Sequence, residues 1–176
     1  MLKRFPARAD IPPVFAVITF MLYAWTLVQF FRELPSLTFY LYIGEIFTIC
    51  SYALVESLFE SLTLLGFLLA LSFLLPPAAL RDVFIVRGTS LTLILTGSAM
   101  LFWNRFSELG LPMTKHIFLW TAVTIAAACL AVFFSTRINL LARGLAGLAD
   151  RLIVFLYLLM PLSALALGTV LVRSLF

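Results

Sequence analysis

Long apolar runs alternate with short charged segments along the chain, and the runs are long enough to cross a bilayer. Crossing a hydrocarbon core of about 30 Å takes roughly 20 apolar residues in a helix. The first run, 13–31, lies between a basic cluster at Lys3, Arg4 and Arg8 and the pair Arg32–Glu33. This run exceeds the apolar region of a signal peptide and no small-residue cleavage site follows it, so we predict a retained transmembrane helix.

The next stretch, 36–75, is forty residues long and would make a helix of about 60 Å, twice the core thickness. Its charged residues are three glutamates: Glu45, Glu56 and Glu60. Ser57 and Glu60 match a capping box, with Ser57 as N-cap and Glu60 as third helical residue. We therefore predict a hairpin of two helices, 36–55 and 58–75. A single helix that continues past residue 60 and leaves the membrane is the alternative.

The remaining apolar runs are separated by charged segments and predict three further helices, at 88–103, 117–134 and 152–172. The connection 137–151 has leucines at helical spacing between arginines, which favours an amphipathic helix at the lipid headgroups. A loop is the alternative, because Gly144 and Gly147 weaken a helix. The sequence thus predicts an all-α polytopic transmembrane bundle of about six spans, one integral membrane domain over residues 1–176 without a soluble domain.

Composition supports this class of protein. Of the 176 residues, 64% are hydrophobic and 11% are charged, whereas soluble domains carry about 25% charged residues. A soluble domain of this size could not bury so much apolar surface. The basic residues are scattered between apolar runs, which argues against nucleic-acid binding. We expect an integral protein of the cell or inner membrane, with the lipid bilayer as its surroundings.

The orientation of a six-span protein is nearly undetermined by its charges. The twelve Lys and Arg residues divide six to six between the two sides, so the positive-inside rule is balanced. The basic cluster before the first helix favours a cytoplasmic N-terminus, and dual topology is the alternative.

The residue types exclude most cofactor and enzyme chemistry. His116 is the single histidine, and Cys50 and Cys129 lie in different apolar runs, which leaves no bis-histidine haem, His/Cys zinc site or C-x-x-C motif. We expect both cysteines to be buried free thiols. No P-loop, G-x-G-x-x-G or H-E-x-x-H occurs, and no span holds a histidine that could activate a nucleophile. We therefore expect no cofactor, no metal and no enzymatic activity.

Glu45 is the candidate functional residue, because it falls near the middle of the predicted span 36–55. An acidic side chain at that depth costs about 2.5–3.5 kcal/mol. Three polar side chains share its helical face: Tyr42, Thr48 and Tyr52. The first span offers a second polar stripe: Thr19, Tyr23, Thr26 and Gln29. We expect the two stripes to face each other inside the bundle, with Tyr23 or Thr26 as hydrogen-bond partner of Glu45.

Glu56 lies eleven residues beyond Glu45, about 20° past three full helical turns, and so shares its face. Together they could form two steps of an acidic path for protons or cations. The alternative is that Glu56 and Glu60 are solvated or capping residues at a hairpin turn. The candidate ion- or proton-binding set is therefore Glu45, Tyr42, Thr48, Tyr52 and Glu56.

Small residues recur every fourth position in the last three predicted spans, a spacing that allows close helix approach. These are Gly88, Thr92 and Thr96, then Ala122 and Ala126, then Ala164 and Gly168.

Two functions fit these patterns. One is a small transporter or channel component that uses Glu45 for protons or cations. The other is a non-catalytic scaffold or accessory subunit of a larger membrane complex, working as a homo-oligomer or with a membrane-protein partner. Hydration of Glu45 distinguishes them, since transport needs water access to the carboxylate.

Overall fold

The structure is a computed structural model that describes residues 6–76, 80, 83–109 and 113–175, except the side chains of 107–109, 113–115 and 175. Within them a 3-10 turn at Arg8–Asp10 precedes five long helices: α1 (Ile11–Tyr40), α2 (Ile43–Leu74), α3 (Phe84–Leu109), α4 (Met113–Arg137) and α5 (Asn139–Leu175). Each is long and apolar enough to cross a membrane. The predicted all-α transmembrane bundle is confirmed, with five such helices among the described residues rather than about six.

The predicted hairpin at residues 55–60 is wrong, because α2 runs without interruption from Ile43 to Leu74. Ser57 is not an N-cap. Its Oγ lies 3.0 Å from the Ala53 carbonyl oxygen and 2.7 Å from Thr26 Oγ1, so the hydroxyl is satisfied inside a continuing helix. The 32 residues of α2 make a rod of about 48 Å. It therefore extends beyond the hydrocarbon layer, which is the alternative that the length argument left open.

The turn between the first two helices falls at Leu41 and Tyr42, later than the predicted break at 32–35. Helix α1 continues through the charged pair Arg32–Glu33 and through Pro35 to Tyr40. Charged side chains are compatible with a helix that has left the hydrocarbon. The carbonyl that Pro35 leaves without its helical donor can be hydrated there. These signals therefore marked the membrane boundary rather than the end of the helix.

The connection 137–151 is helical rather than a loop, but it is not a separate element. Asn139 begins α5, which continues through Gly144 and Gly147 to Leu175, and Ile138 alone separates it from α4. The helical span predicted at 152–172 is thus the second part of a longer helix.

Helix α1 is the centre of the bundle, packed against α2, α3 and α5. Its N-terminal half supplies six side chains that are at most 1% exposed: Val14, Ala16, Val17, Ile18, Thr19 and Tyr23. Neighbouring helices alternate in direction. Thr26 pairs with Ser57 while Val14 shares an apolar cluster with Leu68, so α2 is antiparallel to α1. We call the side of the membrane where α1 begins the N-terminal side, and the other the C-terminal side.

Charged residues bound an uncharged stretch of membrane thickness on four of these helices. Three pairs are 22 residues or about 33 Å apart, and a fourth is 18 residues or about 27 Å apart: Asp10–Arg32, Lys115–Arg137 and Arg151–Arg173, then Arg87–Arg105. These lengths match a hydrocarbon core of about 30 Å. Helix α2 differs, because Glu56 and Glu60 lie within its apolar length.

The small-residue stripe of α3 is buried as predicted: Gly88, Thr92 and Thr96 all face the interior. The stripes predicted for the last two helices are wrong, since four residues lie on exposed faces: Ala122, Ala126, Ala164 and Gly168. Different alanines are buried on those helices: Ala128 on α4, and Ala149 and Ala166 on α5. Spacing alone could not tell which of two alanine-rich faces meets the bundle.

Both cysteines are free thiols, but they are not both buried as expected. Cys50 is half-buried, while Cys129 is exposed on α4. It lies next to the buried Ala128 in the chain.

We predict that Gly88→Leu destabilises the bundle and that Gly168→Leu does not. A Cβ on Gly88 would lie 3.1 Å from Val14 Cγ1 on α1, whereas nothing lies within 4 Å of a Cβ on Gly168. Overpacking of this kind costs about 1–3 kcal/mol. Thermal unfolding of both variants in the same detergent measures the difference. Equal melting temperatures for the two would contradict the contact between α1 and α3.

Candidate functional site

Hydroxyl groups near the middle of the membrane tie neighbouring helices together. On α1, the Tyr23 hydroxyl pairs with Ser163 of α5 and the Thr26 hydroxyl with Ser57 of α2. Between α3 and α4, Ser98 Oγ lies 2.6 Å from Thr124 Oγ1 and accepts a hydrogen bond of 2.9 Å from Trp120 Nε1. Such bonds hold membrane helices in register because hydrocarbon offers these groups no other partner.

The polar stripe of α1 therefore faces the interior as predicted for Tyr23 and Thr19, which are each 1% exposed. The prediction that Tyr23 or Thr26 forms a hydrogen bond with Glu45 is wrong. Tyr23 and Thr26 bond serines, and Thr19 Oγ1 donates to the Phe15 carbonyl oxygen of its own helix at 2.7 Å.

Glu45 lies in the first turn of α2 rather than near the middle of a span. Its Oε2 accepts a hydrogen bond of 2.9 Å from the backbone N–H of Tyr42, which is the N-cap residue. Glu45 is twelve residues, or about 18 Å, from Ser57 along the helix axis. Because the turn falls at residues 41–42, the expected mid-membrane depth and interior position of Glu45 are wrong.

The other predicted site residues also lie along α2, at or near its beginning. Tyr42 and Tyr52 are exposed, and Thr48 Oγ1 bonds the Gly44 carbonyl oxygen at 2.9 Å and accepts a hydrogen bond from Arg173 of α5. The structure thus places these residues on one end of α2, while Glu56 lies farther along. That they bind protons or ions stays a prediction.

Glu60 is the acidic residue that lies near the middle of the membrane. The hydrogen bond between Ser57 and Thr26 puts Ser57 six α1 residues, or about 9 Å, inside the level of Arg32. Glu60 is three residues deeper along α2, about 4–5 Å closer to the midplane. Glu56 lies one turn nearer the C-terminal side.

Glu56 and Glu60 are both exposed on the surface of the bundle. Five exposed residues recur along this side of α2, and we call them the acidic face: Tyr52, Glu56, Phe59, Glu60 and Thr63. Among the residues that the structure describes, no hydrogen bond or ion pair joins Glu56 or Glu60 to the rest of the chain. The surface of the bundle thus carries two acids within the membrane, Glu60 near the midplane and Glu56 nearer the C-terminal side.

A crevice of about 370 Å³ lies beside Glu60, between α1, α2 and α3. Apart from Glu60 and Thr96 its walls are apolar, and they include two indole rings, from Trp25 and Trp103. A carboxylate and two indole rings that line one crevice suit a cationic group.

The sequence held a signal for this arrangement that the capping-box match obscured. The buried residues of α2 recur at helical intervals of three, four and seven without a break: Leu54, Ser57, Ser61, Leu68 and Ser72. An unbroken buried face across residues 55–60 indicates one helix and leaves Glu56 and Glu60 outside that face.

No family model, curated protein or solved structure matches the chain. Within the described ranges, no group of three or more His, Cys, Asp and Glu side chains is placed to hold a metal ion.

We predict that Glu45→Ala lowers the free energy of unfolding by about 1 kcal/mol and that Glu45→Gln costs less, because Gln keeps an acceptor for the Tyr42 N–H. Equilibrium unfolding in micelles measures both. A loss above about 3 kcal/mol for Glu45→Gln is what a buried, paired carboxylate would give, and it would contradict the capping role.

Proposed function

We propose that the chain is a non-catalytic subunit of a larger membrane complex and that the acidic face of α2 binds a partner helix. The observation that carries the proposal is the position of Glu60, near the midplane and on the outside of the bundle. An acidic side chain at the centre of a membrane helix costs about 2.5–3.5 kcal/mol, and such residues almost always face protein or water. A partner that covers Glu60 removes this cost.

The partner required by this chemistry is a different membrane protein with a basic or hydrogen-bond-donating side chain at the same depth. The Lys and Arg residues of the chain itself lie at or beyond the ends of the uncharged stretches. In two copies related by a two-fold axis along the membrane normal, the two Glu60 residues would lie at the same depth. One carboxylate would then face another carboxylate instead of a basic group. A second copy is therefore the less favourable occupant.

Proton or cation transport is a second candidate, favoured by the crevice beside Glu60. The carboxylate together with Trp25 and Trp103 could hold a cation through charge and cation–π attraction. Glu56, one turn away, would provide the next step toward the C-terminal side. The acidic path proposed from the sequence thus shifts from Glu45 to the pair Glu56 and Glu60.

Cross-linking tests the partner proposal. A photoreactive amino acid in place of Phe59, in the membranes of the native host, should cross-link to one distinct protein, whose sequence should carry a basic residue within a span. Glu56→Gln together with Glu60→Gln should abolish that product. The same probe at Leu158, on an outward face of α5 and 65% exposed, is the control and should give no such product.

Stability of the purified chain separates docking from an internal structural role. Glu60→Leu should leave the isolated chain as stable as the parent or more stable, because it removes an uncovered acid. A cross-link to a second copy would show a homo-oligomer instead. A proton or cation flux by the chain alone in liposomes, lost in Glu60→Gln, would overturn the partner proposal in favour of transport.

With five spans the basic residues are no longer divided equally between the two sides of the membrane. Eight of the twelve Lys and Arg residues now fall on the N-terminal side: Lys3, Arg4, Arg8, Arg81, Arg87, Arg137, Arg143 and Arg151. Lys3, Arg4 and Arg81 lie outside the described residues and are assigned by sequence position. By the positive-inside rule we propose that the N-terminal side faces the cytoplasm, in the cell or inner membrane.

Thiol labelling tests the five-span orientation. In a background with Cys50→Ser and Cys129→Ser, Tyr42→Cys should react with a membrane-impermeant maleimide in intact cells. Arg143→Cys should react only after the membrane is opened, because five spans put it on the cytoplasmic side. Six spans with a cytoplasmic N-terminus would give the opposite result for Arg143→Cys and would bury Tyr42→Cys.

A further inference from the structure

A second cavity, of about 690 Å³, lies between α2, α3 and α4 on the N-terminal side of the bundle. Its deep part is apolar, with Phe67 of α2, Leu95 of α3 and Ile125 of α4 among the lining residues. Two arginines line it as well, Arg87 of α3 and Arg137 of α4. We call this cavity the slot.

The depth of the slot matches one leaflet. Arg137 lies twelve residues beyond Ile125 on α4, a rise of about 18 Å, and Leu95 lies eight residues beyond Arg87 on α3, about 12 Å. Half of a hydrocarbon core of about 30 Å is about 15 Å. The apolar part of the slot thus spans the acyl-chain region of one leaflet, and the arginines lie at the level of its headgroups.

The two guanidinium groups are held at the rim of the slot by contacts within the bundle. Arg87 Nη2 donates a hydrogen bond of 3.3 Å to Thr136 Oγ1, which joins α3 to α4. The guanidinium of Arg137 lies over the ring of Phe133, 5.2 Å from its centroid.

We propose that the slot binds one anionic phospholipid from the leaflet on the N-terminal side. One acyl chain fills the apolar part and the phosphate lies at Arg87 and Arg137. Charge complementarity selects this occupant, because guanidinium groups match the geometry of phosphate oxygens and pair with them through charge-assisted hydrogen bonds. The same side of the membrane holds eight of the twelve basic residues. Basic pockets between helices at such a surface are where anionic headgroups bind.

The test is lipid retention by the full chain. The protein is reconstituted in nanodiscs that contain equal amounts of phosphatidylcholine and phosphatidylglycerol with the same acyl chains. Native mass spectrometry then counts the lipids that stay bound. The parent should keep one phosphatidylglycerol in preference to phosphatidylcholine. Arg137→Gln and Arg87→Gln should each lower this preference about fivefold, as expected for one basic group near a membrane surface.

Two further variants separate the slot from general surface charge. Arg143→Gln removes a basic residue on the same side that does not line the slot, and it should leave the preference unchanged. Cys129→Trp fills the slot from an exposed position and should release the lipid although both arginines remain. If Arg87→Gln fails to fold because it loses the bond to Thr136, Arg137→Gln carries the test.

Several results would overturn the proposal. Equal retention of both lipids by the parent would show that the headgroup is not recognised. A loss in Arg143→Gln as large as that in Arg137→Gln would show diffuse attraction instead of a site. Retention of phosphatidylglycerol by folded Cys129→Trp would place the lipid outside the slot, and a free fatty acid retained in its place would identify a different ligand.

Discussion

Hydrocarbon about 30 Å thick offers polar groups no water, and the bundle is organised around where each polar side chain lies relative to that layer. Four helices keep their charges at its edges, about 27–33 Å apart. Inside, the hydroxyl groups of Tyr23 and Thr26 bond serines of the neighbouring helices, which fixes α1 against α5 and α2. Helix α2 departs from this rule, because Glu56 and Glu60 place two carboxylates inside the layer.

The sequence predicted most of the fold because charged residues and apolar run lengths mark the membrane boundaries directly. The prediction failed between residues 32 and 60, because the helices there continue beyond the membrane boundary and do not end at it. Arg32–Glu33 and Pro35 predict a break in the helix, and Ser57 with Glu60 predicts a helix start. The chain turns instead at Leu41 and Tyr42, two residues without a turn signature. A hydroxyl that can cap a helix can equally bond a neighbouring helix, and local sequence does not distinguish the two.

The position of this one turn changes every conclusion that depends on the number of spans or on the membrane depth of a residue. Six spans become five, so the basic residues that were balanced divide eight to four. Glu45 moves from the middle of a span to the membrane edge, and Glu60 moves from a turn to near the midplane. The energetic rule that an intramembrane acid needs a partner was sound. The residue to which it applied could be identified only once the register of α2 against α1 was known.

The two proposed surfaces meet on α2. Glu60 and Phe67 are seven residues apart and so share nearly one helical face, and Phe67 lines the slot. A partner helix that covered Glu60 and continued along α2 would pass beside the slot on the N-terminal side. A lipid held there by Arg87 and Arg137 would then occupy space between the partner, α3 and α4 that α2 alone does not fill. Glu60 and the bound lipid, which lie at different depths, would together determine the position and the depth of the partner helix against α2.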